Sequence, residues 1–317
     1  MSSIPVHESI SHDTNHAITA DSVAWWSKLH WLLLAVFCSV LGERWGMPVL
    51  NLIYPFALLM YLRTERTWRG HLIACVSICV PWILFMGDFA PFMDDMAWAM
   101  TVVASVVLSI LPYLVDRLTH QKLHVYLASL VFPCAMLTVD ALRHATDPTG
   151  SYGMLGYSVG ADNPLAQITA VSGIDALTFL MAWGASIAAF CVANWLDKTS
   201  SKQAILRLAS VYGVLLCAIW IGGAFALQSS PAPEQSVHIA SIAKRSASLG
   251  FAEAAKTQEQ QLQEWLQVSK QQAQAGAQII VWGEGALVIK SEFEPQVLVA
   301  AQEFAKQENV HLVLAIF

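Results

Sequence analysis

Seven stretches of almost unbroken apolar residues occupy the chain between Trp25 and Leu227: Trp25–Leu41, Met47–Leu62, His71–Met86, Met96–Val115, Val125–Leu142, Leu165–Trp195 and Ile205–Leu227. A helix needs about 20 apolar residues to cross a hydrocarbon slab, so the later runs suffice and the first three fall near the limit. Backbone polar groups in hydrocarbon must bond within their own segment, which makes each run a helix. The pattern predicts a bundle of about seven transmembrane helices over residues 25–227. Pro48, Pro55, Pro81 and Pro133 lie within these runs and predict kinks.

After Leu227 the pattern changes. A linker, residues 228–235 (QSSPAPEQ), separates the apolar runs from short alternating elements, and the boundary falls near Ser236. Val237–Ile242 has the character of a strand. Thr257 to Ala275, with Leu262, Trp265 and Leu266 on one face and Gly276 after it, predicts an amphipathic helix. Gln278–Trp282 is a second strand. Pro295 suits the first turn of a further helix carrying Val297, Leu298, Ala301, Phe304 and Ala305 at helical spacing, and Val310–Phe317 is a third strand. Strand and helix in alternation imply a largely parallel sheet, so residues 236–317 predict part of an α/β domain. About 80 residues with three strands make a small sheet with an uncovered face and open edges, and the expectation is of a domain that continues beyond Phe317.

Composition sharpens the contrast. Hydrophobic residues make up 56% of the 317, charged residues 13%, and the mean hydropathy is +0.52, whereas soluble domains are charged at roughly a quarter of positions. Residues 1–24 are polar, contain His7, His12 and His16 and carry no Lys or Arg, so they lack the basic start of a cleavable signal and predict a cytoplasmic tail. Basic residues also orient the bundle. Arg63, Arg66 and Arg69, then Arg117 and Lys122, then Lys198, Lys202 and Arg207 occupy alternate loops, while the other loops hold Arg44 and Arg143 beside Asp88, Asp94, Asp95, Asp147 and Asp162. The excess of Lys and Arg marks the cytoplasmic side and places residues 236–317 outside. A net charge of −6 with no basic cluster gives no footprint for nucleic acid. The six cysteines, Cys38, Cys75, Cys79, Cys134, Cys191 and Cys217, all lie in apolar runs without a CxxC pair, and the histidines show no ligand spacing, so neither a disulfide framework nor a metal site is expected.

Candidate chemistry concentrates at Gln278–Leu287. Its apolar strand ends in Gly283-Glu284-Gly285, which sets a carboxylate at the C-terminal edge of a parallel strand, where open α/β sheets place their ligand sites. The bland alternative is a surface glutamate in a turn. Gly156-Tyr-Ser158-Val-Gly160 fits the GxSxG pattern, but a loop between membrane spans is not the strand-to-helix elbow that makes such a serine nucleophilic. Asp140 and Asp175 fall near the outer ends of their runs; acids in membrane spans are functional candidates by default, but this position predicts ordinary solvation for both.

The strand leading to Glu284 resembles the first active-site element of the carbon–nitrogen hydrolase (nitrilase) superfamily. Together with the membrane runs it resembles the apolipoprotein N-acyltransferase family, in which a helical bundle carries a nitrilase-like domain of αββα sandwich form on the periplasmic side. Leu155-Gly-Tyr-Ser158, Pro164-Leu-Ala-Gln167 and Ser172-Gly-Ile-Asp-Ala-Leu177 are similar to that family's loop and helix entry. The resemblance implies a multi-pass protein of the bacterial inner membrane that moves an acyl chain from phospholipid to the N-terminal amine of a lipoprotein through a cysteine thioester. No metal or cofactor is implied. Glu284 would be the catalytic base. The family's lysine and cysteine have no counterpart here: no cysteine follows Cys217, and neither Lys290 nor Lys306 matches the motif position. Gly283 replaces the usual proline, and Ser241-Ile-Ala-Lys244 stands where a Gln-Gly-Asn type motif is usual. A chain cut within its hydrolase domain and inactive as it stands is therefore expected. A membrane-tethered amidase-like hydrolase and a non-catalytic membrane protein remain open.

Overall fold

The computed structural model describes residues 28–42, 48–65, 67–87, 94–146, 151, 153–160, 163–197, 202–229, 236–243, 257–283, 286–287 and 289–315. The chain divides after Ser230 into two compact units.

Among the described residues the first unit contains seven apolar helices: α1 (Lys28–Gly42), α2 (Pro48–Thr64), α3 (Trp68–Met86), α4 (Asp95–Thr119), α5 (Val125–Thr146), α6 (Thr169–Asp197) and α7 (Lys202–Gln228). Among the described residues α3 to α7 are long and apolar enough to cross a bilayer, whereas α1 and α2 are shorter. The expected seven spans are thus five full-length helices and two short ones. The reason lies in packing. α2 has 17 residues, and its segment Ala57–Leu62 is buried on every side, so this helix meets protein where a lipid-facing span would meet acyl chains. Around it gather Leu32 and Ala35 of α1, Ala74 and Ile78 of α3, Ile110 and Tyr113 of α4, Phe132 of α5, and Ala182, Ala185 and Ala189 of α6. The small residues of α6 let its backbone approach α2 closely. α7 is peripheral and exposes Leu206, Val214, Ile221 and Phe225, the composition of a lipid-facing surface.

Helix ends follow local chemistry. Pro48 opens α2 instead of kinking it, at a position where the missing N–H has no intrahelical acceptor in any case. Pro55, Pro81 and Pro133 lie inside α2, α3 and α5, as does Pro112 inside α4. Thr67 and Asp94 cap α3 and α4 by accepting from the backbone N–H of Gly70 and Ala97. The apolar run Leu165–Trp195 is not one regular helix: a 3-10 turn over Pro164–Ile168 precedes α6, and Gly173 interrupts α6 with φ 68° and ψ −173°. Only glycine occupies that region readily.

Among the described residues the second unit holds three parallel strands, β1 (Ile239–Ile242), β2 (Ile279–Trp282) and β3 (His311–Val313), in the order β1-β2-β3. Helices α8 (Gln258–Gln274) and α9 (Glu294–Glu308) make the crossovers. A reciprocal capping box between Thr257 and Gln260 starts α8, and Gly276 at φ 94° follows its end. Pro295 stands in the first turn of α9, and Asn309 closes it in the left-handed conformation. Both helices cover one face of the sheet, where Ile280 and Trp282 pack with Leu262, Trp265, Val297 and Phe304. The Trp282 indole N–H donates to Ser269 Oγ at 2.9 Å, which satisfies its one polar group inside the core. The opposite face carries Ile239 at 56% exposure and Val313 at 49%.

Candidate functional site

Glu284 lies outside the described residues, as does Gly285. Its flanks are fixed. β2 is the central strand and ends at Trp282; the Gly283 N–H donates to the Ile242 carbonyl at 2.9 Å, which carries the pairing with β1 one residue past the strand. The Ala286 N–H donates to the Gly283 carbonyl at 3.0 Å, and Ala286 and Leu287 are buried in the unit's core. The described residues on either side of positions 284 and 285 thus belong to the core of this unit. Lys290 and Lys306 are both exposed.

The bundle contains a cavity of 310 Å³. Five helices and a loop contribute to it: Ser39 from α1, Tyr54 from α2, Trp82 from α3, Ser109 and Tyr113 from α4, Asp140 and Arg143 from α5, and Tyr157 and Ser158 from the loop before α6. The wall is mainly apolar, with a few convergent polar groups, which is the usual character of a ligand pocket. Close backbone contacts hold the loop. The Gly156 N–H donates to Thr178 Oγ1 at 3.1 Å, and Gly156 packs so tightly on Ile174 that its carbonyl would stand 2.8 Å from an added Cβ. Likewise the Pro164 carbonyl lies against Gly223 of α7 with no room for a side chain.

Asp140 corrects the expectation of simple solvation. It is 4% exposed, and among the described residues Oδ2 has no hydrogen-bond partner. Asp175, one helix away, is exposed as expected. Ser158 donates to the Leu155 carbonyl at 2.7 Å from within a 3-10 turn, so the GxSxG serine is tied to its own backbone and is not set on a nucleophile elbow.

At the other end of the bundle stands a cluster that the sequence did not reveal. Arg63 donates through Nε and Nη2 to the two carboxylate oxygens of Asp116, both at 2.8 Å, and Nη2 reaches Ser186 Oγ at 3.3 Å. The guanidinium also lies 4.3 Å from the Phe190 ring centroid. Asp116 is fully buried, and His120 Nδ1 sits 2.9 Å from its backbone carbonyl. Arg117 bonds the Leu62 carbonyl at the end of α2. The one available signal was Asp116 following directly on the run Met96–Val115; its partner, 53 residues away, is invisible to local pattern. Among the described residues no group of acidic, histidine or cysteine side chains could hold a metal ion.

Residues 34–187 match the family model of the apolipoprotein N-acyltransferase N-terminal domain. This stretch of the bundle carries the N-terminal domain of the apolipoprotein N-acyltransferase family. Within the matched stretch lie α2 to α5, the loop and most of α6, and with them every residue named above as lining the cavity. The buried Arg63–Asp116 pair falls inside it as well. Residues 231–317 lie outside the match. Comparison with curated proteins returns no match.

Proposed function

We propose that the chain is the membrane portion and the opening part of the catalytic portion of an apolipoprotein N-acyltransferase-like enzyme of the bacterial inner membrane, with Glu284 as the general base. What supports the reading is a single conjunction: a bundle of this family is followed by a parallel β-α-β-α-β unit whose central strand runs directly into Gly283-Glu284-Gly285. A sheet with helices on one face and exposed apolar residues on the other is also what half of an αββα sandwich has to offer a second layer.

In the proposed reaction a thiol gives its proton to the Glu284 carboxylate and attacks the ester carbonyl of a phospholipid. The C–O bond to glycerol breaks, the lysophospholipid leaves as the alcohol, and a thioester remains. The N-terminal amine of a lipoprotein then attacks the thioester, its proton passing to the carboxylate, and the thiol is regenerated with an amide as product. The thiol and an oxyanion-stabilising lysine have no counterpart among these 317 residues, where Cys217 is the last cysteine and lies in α7. Arg63, Arg69, Arg117, Lys122, Lys202 and Arg207 cluster at helix ends or in the loops between α2 and α3, α4 and α5, and α6 and α7; this supports a cytoplasmic placement of that end and a periplasmic placement of residues 236–317.

The test is N-acylation of a diacylglyceryl peptide in phospholipid vesicles. The 317 residues alone are expected to form no N-acyl peptide. A chain continued in frame through the missing lysine and cysteine is expected to form it, and Glu284→Gln in that chain to lower the rate by about 100-fold or more. Transfer by the 317 residues, or undiminished transfer by Glu284→Gln, would overturn the assignment. Release of free fatty acid with no amide would favour the hydrolase instead.

A further inference from the structure

Tyr212 fastens α7 to α6. Its hydroxyl donates to the Leu180 carbonyl at 3.1 Å, its ring stands edge-on to Trp183 with centroids 5.5 Å apart, and Gly184 leaves the room that the hydroxyl occupies. Between Tyr212 and the start of α7 a groove of 680 Å³ opens, lined by Tyr126 and Leu130 of α5, Trp183 of α6, and Leu206, Arg207 and Val211 of α7. That volume lies within the range of about 300–1,000 Å³ usual for ligand sites. The wall is apolar and preset: the Trp183 indole N–H donates to Ser129 Oγ at 3.2 Å, so its polar group is satisfied by a residue outside the groove. Arg207 is the charged residue of the lining and is exposed. Among the described residues no carboxylate lies within 4.0 Å of it. Lys202 stands one turn before Leu206 on the same face of α7, and Lys122 precedes Tyr126 by four residues. Neither residues 120–130 nor residues 202–211 contain Asp or Glu. One end of the groove therefore offers positive charge to a phosphate and no carboxylate to an ammonium, while the rest offers apolar surface to an acyl chain. A soluble anion would leave the apolar wall unused, and a zwitterionic lipid would bring an ammonium that nothing there receives.

We infer that this groove holds an anionic phospholipid, its phosphate on Arg207 and Lys202 and one acyl chain along Trp183, Leu130 and Val211. The lipid is bound intact and is not consumed. It belongs to the leaflet at the end of the bundle that also carries Arg63 and Arg117, where basic residues attract anionic head groups. No residue of the groove lines the cavity among α1 to α5, and none takes part in the proposed acyl transfer, so the site stands independently of that reading.

Native mass spectrometry of the full 317-residue chain in detergent, exchanged with phosphatidylglycerol or phosphatidylethanolamine carrying the same acyl chains, tests this. Phosphatidylglycerol is expected to be retained about fivefold better, the size of one basic residue's attraction to an anionic lipid. Arg207→Gln should bring the two lipids level. Arg69→Gln, at an exposed arginine of the same end that does not line the groove, should keep the preference. Val211→Trp fills the groove without changing the charge and should lower the retention of phosphatidylglycerol. Equal retention of the two lipids by the unmodified chain, a preference that survives Arg207→Gln, or retention that Val211→Trp leaves unchanged would overturn the inference. A preference lost equally in Arg69→Gln would overturn it too, by showing a diffuse basic surface in place of a site. Arg207 and Val211 are both exposed, so neither replacement disturbs the packed interior, and the comparison on the unmodified chain needs no variant at all.

Discussion

Arg63 and Asp116 are held in apolar surroundings where neither could remain charged alone. Two parallel hydrogen bonds at 2.8 Å and the Phe190 ring offset the loss of water. Removing one partner strands the other: Asp116→Ala or Arg63→Ala should destabilise the bundle by about 3–5 kcal/mol, read as a lowered midpoint in thermal unfolding in detergent. The double replacement should be less harmful than the two single effects added together. Equal and additive losses would mean that the pair is not coupled. Such facts lie beyond a reading of one sequence. The loop position of Arg63 pointed to membrane sidedness, and nothing near it in sequence named its partner. Asp140 was legible as an acid in an apolar run, but its burial depends on side chains from α1 to α4 and on the loop before α6, and local pattern carries no information about those contacts.

At the scale of elements, long apolar runs and end signals were the legible part. All seven runs became helices, and the Thr257–Gln260 box, Gly276 and Pro295 marked the ends of α8 and the start of α9. Which helix lies at the centre was not legible, because a helix surrounded by protein and a helix surrounded by lipid are equally apolar. α2 and α7 differ in this respect. Ala57→Leu in α2 should cost about 1–3 kcal/mol through overpacking, while Val214→Leu on the exposed face of α7 should leave the unfolding midpoint unchanged. The break in α6 was also hidden, since Gly173 sits in an otherwise continuous run. A Cβ there would meet no neighbour within 4 Å, so Gly173→Ala isolates backbone strain and should lower stability by about 1–3 kcal/mol. No change in the midpoint would imply that α6 straightens at this point without penalty.

For the molecule as a whole, two units with separate cores imply separable stabilities. Trp282 is buried beneath α8 with its indole N–H satisfied by Ser269, and Trp282→Ala should cost that unit about 3–5 kcal/mol. Limited proteolysis should then digest residues 231–317 and leave the bundle intact; loss of both together would show that the units fold as one. The proposed acyl transfer requires more than two units: it requires Glu284 on the side of the membrane opposite the arginines. A cysteine placed at position 284, in a chain whose own six cysteines are replaced by serine, measures this directly in intact cells. A membrane-impermeant maleimide applied from the periplasmic side is expected to label Glu284→Cys and to spare Lys202→Cys until the membrane is opened. Labelling of position 202 with protection of position 284 would contradict it.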